Sequence, residues 1–295
     1  PVVTYTYNGT EYTLTENIDY TLEYNNNVEA SNSASVTITG IGHYTGYKKI
    51  TFSIVKIPVE SLKIVYNKTT NDVNDYDGVY LTMKTYEDDE ITLEDNIALY
   101  LDDAAYQAGT PLERGTDYTL SYENNDKVST LGKTASVTIT GMGNYTGSVT
   151  LYFLIARDIA TLSIDDIEQQ TYTGEEIEIS NLSVNKSWFK ELTQGEDYTV
   201  AYENNVEVAY DSNDDVIANA KVIVTGSATP TTNGCYYGTT SKSFKIVPRD
   251  LSDDDVAFEV EDQSYKGTAV TLDVDKDITG TYTMPSSTVK ELEAG

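Results

Sequence analysis

The sequence predicts an all-β protein built from consecutive β-sandwich domains, and three observations lead to this fold class. Apolar residues alternate with Thr and Ser in many short runs, which is the period of strands buried on one face. Thr, Tyr, Val and Ile abound, and these residues favour strands. No stretch keeps apolar residues at helical spacing over three turns, so long helices are not expected.

One pattern occurs three times along the chain and divides it into repeats. Asp19, Asp117 and Asp197 each begin an Asp-Tyr-Thr run that leads to a further Tyr, a pair of Asn and an alternating strand. The intervals of 98 and 80 residues between these Asp residues fit sandwich domains of about 100 residues. The predicted domains are the C-terminal half of a repeat at 1–56, whole repeats at 57–157 and 158–248, and an N-terminal half at 249–295.

The elements of residues 1–56 follow from turn residues and alternation. Asn8-Gly9 separates two runs that alternate Tyr and Thr, and both positions tolerate positive φ, so a two-residue hairpin is expected there. Strands are then predicted where apolar and polar residues alternate, at 20–24, 34–38 and 50–54. The glycine-rich stretch between the last two, which contains His43, is predicted to be a turn.

Residues 57–157 contain the pattern in its most regular form. Pro58 marks the junction, and alternation predicts strands at 62–66, 79–83 and 97–101. Asp102-Asp103 is expected to form a hairpin turn before Tyr106. Residues 115–155 then supply the Asp-Tyr-Thr strand, the Asn pair, an alternating strand, a Gly-x-Gly turn and a closing strand.

The third copy differs from the second in two enlarged loops, at 211–215 and 227–235. Extended loops on a rigid scaffold are frequent places for binding residues, so we expect any specific recognition there. A fourth copy begins at 249, because Tyr265-Lys266-Gly267 matches the turn Tyr172-Thr173-Gly174 of the third.

The charge of the chain disfavours two classes of partner. It has 19 Lys and Arg against 48 Asp and Glu, a net charge of -29 at pH 7. Such a field repels nucleic acid and anionic membrane surfaces. The sequence also lacks the apolar run of about 18 residues that a spanning helix requires. We therefore expect no nucleic-acid binding and no membrane insertion.

The sequence predicts no active site, so we expect a protein that is not an enzyme and has no cofactor. Cys235 and His43 are the only residues of their types and lie in different repeats, whereas nucleophilic catalysis needs a base beside the nucleophile. The glycine-rich stretch 141–147 lacks the spacing of a dinucleotide loop, and a strand pattern rather than a helix follows it.

Calcium remains open as an alternative. Asp and Asn cluster at 72–78, 211–215 and 253–255, and calcium takes oxygen ligands of this kind. None of these stretches has the residue order of an EF-hand loop, and solvated turns have the same composition.

The motifs taken together resemble a known family. Asp-Tyr-Thr with paired Asn, Val-Thr-Ile-Thr-Gly-x-Gly-x-Tyr-Thr-Gly and Phe-x-Ile are similar to tandem bacterial immunoglobulin-like repeats of Gram-positive cell-surface proteins, over essentially the whole chain. The resemblance implies immunoglobulin-like sandwiches in an extended array on the bacterial cell surface, extracellular and non-catalytic, that serve as stalk, spacer or adhesin. The implied partners are neighbouring repeats of the same protein, and polysaccharide or a host or cell-surface protein.

Two other functions remain open. Such repeats accompany carbohydrate-active enzymes, so a carbohydrate-binding module is one alternative, and the aromatic residues that would contact a glycan are Trp188, Phe189, Tyr236 and Tyr237. The other is a subunit of an extracellular fibre. In that arrangement the half repeat at 249–295 of one molecule completes the half repeat at 1–56 of the next. A sequence cut from a longer protein would show the same half repeats, and this alternative stays open.

Overall fold

The structure is a computed structural model that describes residues 2–67, 80–187, 190–253, 256–272, 278–283 and 289–291. It is mostly strands, at 45%, with 5% helix, so the predicted all-β class is confirmed. The chain divides into two compact units, Pro1–Ala156 and Arg157–Gly295. The predicted boundaries at 56–57, 157–158 and 248–249 stay predictions.

The strands that begin in the first unit are mostly short, and most of them pair antiparallel. They are β1 (Thr4–Tyr7), β2 (Thr10–Thr13), β3 (Tyr20–Asn25), β4 (Ser31–Gly40), β5 (Tyr47–Ile54), β6 (Ile57–Pro58), β7 (Lys63–Tyr66), β8 (Met83–Thr85), β9 (Ile97–Tyr100), β10 (Tyr118–Glu123), β11 (Ala135–Gly141), β12 (Tyr145–Thr146) and β13 (Ser148–Asp158). A helix, α1 (Asp103–Ala108), and a 3-10 turn at Val59–Ser61 complete the unit.

The second unit repeats this alternation of short strands and turns. Its strands are β14 (Ser163–Ile164), β15 (Gln170–Thr171), β16 (Val184–Ser187), β17 (Lys190–Glu191), β18 (Tyr198–Glu203), β19 (Ala220–Gly226), β20 (Tyr236–Tyr237), β21 (Thr239–Phe244), β22 (Ile246–Val247), β23 (Val256–Val260), β24 (Ile278–Thr283) and β25 (Val289–Glu291). A 3-10 turn at Ile159–Thr161 precedes β14.

Three antiparallel sheets within the described residues share one register. They are β3-β4-β5, β10-β11-β13 and β18-β19-β21. In each sheet the Tyr of Asp-Tyr-Thr lies opposite the first Gly of the turn that follows, and an Ala lies opposite a Phe. The pairs are Tyr20–Gly40, Tyr118–Gly141 and Tyr198–Gly226, then Ala34–Phe52, Ala135–Phe153 and Ala220–Phe244. The shared register places each motif Tyr on the buried face.

Two sets of buried side chains form cores that follow the repeat pattern. One core joins the inner face of β10, β11 and β13 to Leu62, Ile64, Leu93 and Leu99, and all its members lie between residues 57 and 155. The other set consists of two adjoining clusters around Val222 and Phe244, whose members lie between residues 159 and 246. In each case residues from the earlier part of the stretch cover the three-stranded sheet formed by its later part.

The hairpin predicted at Asn8-Gly9 is confirmed. The strands β1 and β2 pair antiparallel on either side of these two residues, whose φ angles of 50° and 79° are both positive. A Cβ atom crowds the backbone at positive φ; Gly has none, and Asn tolerates this conformation because its short polar side chain can form local hydrogen bonds.

Two local predictions in the second copy are wrong. Asp102-Asp103 does not form a hairpin turn: α1 begins at Asp103, the Asp102 carboxylate accepts a hydrogen bond from the Ala105 amide at 2.8 Å, and Gly109 ends the helix with φ 68°. Asp is as good a helix N-cap as a turn residue, and Ala favours helix. The strand expected at 79–83 is observed later, as β8, which pairs in parallel with β13.

No helix in the described part of the chain is long and apolar enough to cross a bilayer.

Candidate functional site

The carboxylate of each motif Asp closes a turn before its strand. The Asp19, Asp117 and Asp197 side chains accept hydrogen bonds from the backbone amides four residues earlier, in each case at 2.8 Å; the donors are Thr15, Glu113 and Thr193. A short carboxylate can reach a nearby amide in this way, which is the usual reason for Asp in a turn. The recurring Asp is therefore a turn-forming residue.

The Tyr and the second Asn of the second copy hold a segment from earlier in the chain. The Tyr122 hydroxyl accepts a hydrogen bond from the Leu93 amide at 2.9 Å. The Asn125 side chain donates to the Ile91 carbonyl at 3.0 Å, and the Ile91 amide donates to the Asn125 carbonyl at 2.9 Å. Burial raises the pKa of Tyr122, and the bond to Leu93 offsets part of this effect.

The third copy has the same arrangement. The Tyr202 hydroxyl accepts from the Ile179 amide at 2.8 Å, and the Asn205 side chain donates to the Ile177 carbonyl at 3.0 Å. The Ile177 amide donates to the Asn205 carbonyl at 2.9 Å. We call the Tyr and the second Asn of a copy its Tyr–Asn clamp, and the apolar-x-apolar stretch that they hold its clamped segment. In each copy, the clamp bonds to the amide and the carbonyl of the first residue of the clamped segment and to the amide of the third.

The first glycine of the Gly-x-Gly turn is required by space rather than by positive φ. A Cβ atom on Gly141 would lie 2.7 Å from the Thr146 amide nitrogen and 2.8 Å from a Val59 methyl group. Gly143, two residues later, does have a positive φ, of 56°. The close approach lets β12 pair in parallel with β6, Tyr145 opposite Ile57.

The enlarged loop of the third copy packs a polar network around Asp197. The Asp197 carboxylate is fully buried and accepts from the Thr231 hydroxyl and, at 2.6 Å, from the Asn233 side chain. The Tyr236 hydroxyl donates to the Asn233 carbonyl at 3.0 Å. These bonds satisfy a carboxylate that burial would otherwise penalise. They fix the loop onto the motif Asp instead of presenting it to solvent.

The four residues predicted to contact a glycan are placed differently. Tyr236 is fully buried, with its ring in the core cluster of the third copy, and Tyr237 is partly exposed. The buried ring leaves no face open to solvent. Trp188 and Phe189 lie outside the described residues.

Cys235 is a buried free thiol beside Tyr236. Burial raises the pKa of the Cys235 thiol to about 11, so the group is protonated near neutral pH. Burial also raises the pKa of Tyr236, to about 12, with a further contribution from the negative charge of Asp197.

The acidic stretches weighed for calcium are described only in part. In 211–215, one oxygen of Asp211 accepts from the amides of Asn213 and Asp215 at 2.8 and 3.0 Å. These backbone bonds, that from Asp215 first, lower the Asp211 pKa. No group of three or more His, Cys, Asp or Glu that could hold a metal occurs among the described residues. The stretch 72–78 and residues 254–255 lie outside them.

A concave surface in the second unit was not predicted from the sequence. Its cavity of about 380 Å³ is lined by Tyr172, Glu207, Val208, Tyr210, Pro248, Arg249 and Leu251. Pairing of β15 with β22 brings its walls together, and the Arg249 side chain donates to the Tyr172 carbonyl at 3.2 Å. Tyr210 directly precedes the enlarged loop 211–215, but the sequence does not show that this loop base meets residues near 172 and 250. We call this cavity the Tyr210 cleft.

Comparison with protein-family models and with curated protein sequences finds no match to this chain.

Proposed function

We propose that the chain is a non-catalytic array of tandem immunoglobulin-like β-sandwich repeats, exported to the bacterial cell surface, where it acts as a stalk, spacer or adhesin. The repeats at 57–157 and 158–248 each bring a three-stranded sheet and the segment that covers it. Their neighbours in the array are repeats of the same kind.

The observation that carries this proposal is the repeated Tyr–Asn clamp. In two copies the same three hydrogen bonds join equivalent residues, although the loops around them differ in length. In the described part of the chain, the clamp side chains that recur between copies bond to backbone groups and so maintain architecture. Side chains that recur for architecture support a scaffold role.

The acidic composition supports an exposed, soluble surface setting, since a net charge of -29 keeps copies apart. Immunogold labelling of intact cells of the source organism with an antibody to residues 57–248 tests the location. Labelling at the cell surface is expected, and labelling that appears only after cells are permeabilised would contradict it.

Small-angle scattering of the purified chain tests the stalk or spacer role. The predicted repeats follow one another with very short junctions, at 56–58, 156–158 and 247–249. Short junctions limit hinge freedom, so the proposal predicts an elongated particle. A compact globule would count against a stalk.

A second candidate, glycan recognition, is favoured by the Tyr210 cleft. Ligand pockets have volumes of roughly 300–1,000 Å³ and combine apolar or aromatic walls with a few polar groups. The cleft fits this description, with Tyr172 and Tyr210 as aromatic walls and Glu207 and Arg249 as charged groups. Aromatic rings of this kind can stack on the apolar face of a sugar.

Affinity electrophoresis against plant and host polysaccharides tests this candidate. Retardation that is lost in Tyr210→Ala and retained in Tyr152→Ala would support it, because the two tyrosines are about equally exposed, at 50% and 48%. Migration that no polysaccharide changes would contradict glycan recognition.

A further inference from the structure

The enlarged loop of the third copy places polar side chains on both sides of the Asn233-Gly234 peptide bond. The Tyr236 hydroxyl donates to the Asn233 carbonyl at 3.0 Å, and the Gly234 amide donates to the Thr231 hydroxyl oxygen at 3.2 Å. The Asn233 side chain donates from Nδ2 to the Asp197 carboxylate at 2.6 Å. The carbonyl, the amide nitrogen and the adjacent side chain therefore each contact a group that can stabilise charge or carry a proton.

Asp197 joins these groups into a chain of hydrogen bonds. One of its carboxylate oxygens accepts from Asn233, and the other accepts from the Thr231 hydroxyl, which contacts the Gly234 amide. Asp197 and Tyr236 are fully buried, and electrostatic interactions act more strongly there than in water. Burial raises the pKa of Tyr236 to about 12, so its hydroxyl keeps the proton that it donates. The bonds form a path for a proton from Asn233 Nδ2 to the Gly234 nitrogen.

The other two copies close the same turn without this peptide bond. Asp19 and Asp117 accept from the amide four residues earlier, as Asp197 does, but their Gly-x-Gly turns contain no Asn-Gly pair. A Cβ atom at position 234 would lie 2.9 Å from the Tyr236 hydroxyl oxygen, so glycine lets the phenol reach the neighbouring carbonyl. The Asn-Gly bond and its contacts are therefore features of the third copy and not of the repeated architecture.

We propose that the third copy cleaves its own backbone between Asn233 and Gly234. Asn233 Nδ2 attacks the carbonyl carbon of its own residue, and rotation about the Cα–Cβ and Cβ–Cγ bonds is enough to bring the two atoms together. The attack closes a succinimide ring, and the bond from that carbon to the Gly234 nitrogen breaks. The Tyr236 hydroxyl stabilises the negative charge that develops on the carbonyl oxygen, as a donor in an oxyanion hole does.

The protons of this reaction move along the chain of hydrogen bonds. Asp197 takes one proton from Asn233 Nδ2 as general base, and Thr231 gives one proton to the leaving Gly234 nitrogen as general acid. Thr231 regains a proton from Asp197, so both side chains end unchanged. No water, oxidant or reductant is consumed. The products are residues 1–233 with a C-terminal succinimide and residues 234–295 with a new amino group.

The same contacts disfavour deamidation, which is the competing reaction of an Asn-Gly pair. Deamidation requires the Gly234 nitrogen to attack the Asn233 side chain and release ammonia. That nitrogen is held by the Thr231 hydroxyl, and Tyr236 polarises the backbone carbonyl instead of the side-chain carbonyl. Deamidation also ends with the addition of water, whereas Gly234 is buried. The geometry therefore favours cleavage.

The two products should stay together in the folded protein. The strand β19, before the cleaved bond, pairs along its length with β21, which follows it. The strand β20 pairs with the end of β13 at Arg157 and Asp158. The products therefore separate only on denaturation. The reaction occurs once per molecule and acts on the chain itself, so it adds to the scaffold role proposed above and does not depend on it.

Mass spectrometry of the whole 295-residue protein, denatured in acid at intervals during incubation, tests the proposal. We expect fragments 1–233 and 234–295 to accumulate with time, and their masses to add up to the mass of the intact chain. The first fragment should be one water lighter than the product of hydrolysis at the same bond. Asn8-Gly9, an exposed hairpin turn, is the internal control and should stay intact.

Four variants separate the chemistry from effects on folding, which circular dichroism checks. Asn233→Ala removes the nucleophile and should give no fragments. Asp197→Asn, of nearly equal size, should slow cleavage about 10²–10⁴-fold, and Tyr236→Phe, which keeps the ring, about 10²–10³-fold. The matched control is Tyr202→Phe, which removes a hydroxyl that bonds to the Ile179 amide in the same copy and should leave the cleavage rate unchanged.

The proposal is overturned if no fragments form, or if Asn233→Ala gives the same fragments. Fragment masses that exceed the intact mass by one water would indicate hydrolysis and contradict cyclisation. An intact chain with aspartate or isoaspartate at position 233 would mean that deamidation occurs instead. Equal cleavage at Asn8-Gly9 would show that the contacts of the third copy do not promote the reaction, and so would equal rates in Tyr236→Phe and Tyr202→Phe.

Discussion

Asp197 differs from the other two motif Asp residues in its burial and in the number of hydrogen bonds that its carboxylate accepts. It is fully buried and accepts from the Thr193 amide, the Thr231 hydroxyl and the Asn233 side chain. Replacing it by Ala removes the acceptor that these three groups share. We expect Asp197→Ala to lower the free energy of unfolding of the second unit by about 3 kcal/mol.

Urea unfolding followed by circular dichroism measures this loss. The control is Asp117→Ala, because Asp117 is partly exposed and its carboxylate accepts one hydrogen bond from the described residues, that of the Glu113 amide. That variant should lower the free energy of unfolding of the first unit by about 1 kcal/mol. Equal losses in the two variants would show that the network around Asp197 adds no stability.

Cys235 gives a prediction about reactivity and pH. The thiol is buried and its pKa is raised from 9.0 to about 11, so the native protein should not react with Ellman's reagent at pH 8, whereas protein in urea should react at once. Below pH 9 both states hold the proton. Between pH 9 and about 11 only the unfolded state loses it, so stability of the second unit should fall over that range. Rapid reaction of the native protein would contradict this placement.

For single residues, burial could be predicted from the sequence but the need for a particular glycine could not. The burial of Tyr20, Tyr118 and Tyr198 follows from alternation, and all three are buried. The need for Gly141 could not be derived in the same way. Its reason is the approach of Val59 and Thr146, and that contact exists only once the fold has formed.

At the scale of elements, the Tyr–Asn clamp predicts its largest effect on the opening of the segment that it holds. Tyr122→Phe removes the acceptor for the Leu93 amide, so the segment around Leu93 should open more easily while β10, β11 and β13 remain protected. The expected change is about 1–3 kcal/mol in the local opening free energy, from the unpaired amide. Hydrogen exchange followed by mass spectrometry measures it.

The control for the clamp is Tyr152→Phe, on β13 and 48% exposed. It should leave exchange around Leu93 unchanged. Equal exchange in the two variants would mean that the Tyr122 hydroxyl does not hold the segment.

The sequence predicts elements better than their connections. The strands of the three shared-register sheets follow from alternation and turn residues, whereas α1 was missed because Asp102 fits a turn as well as a helix cap. The clamp was not predicted either, since its bonds join residues about thirty positions apart, and the segment that is held forms no regular strand. The Tyr210 cleft was not predicted for the same reason, because its lining residues are far apart in the sequence.

At the scale of the whole molecule, the buried side chains gather in two separate stretches of the chain. The main core of the first unit uses residues from 57 to 155, and the clusters of the second use residues from 159 to 246. Each stretch supplies both the sheet and the residues that cover it. The sequence predicts this division from the spacing of Asp-Tyr-Thr, although not which residues meet across each core.

The most direct test of the repeat organisation is calorimetry of residues 57–157 expressed alone. A repeat with its own clamp and core should unfold in one transition, with calorimetric and van't Hoff enthalpies in agreement. Tyr122→Phe should lower its midpoint, by about 4–8 °C for each kcal/mol lost. A fragment without a cooperative transition would contradict the claim that each repeat is a self-contained sandwich.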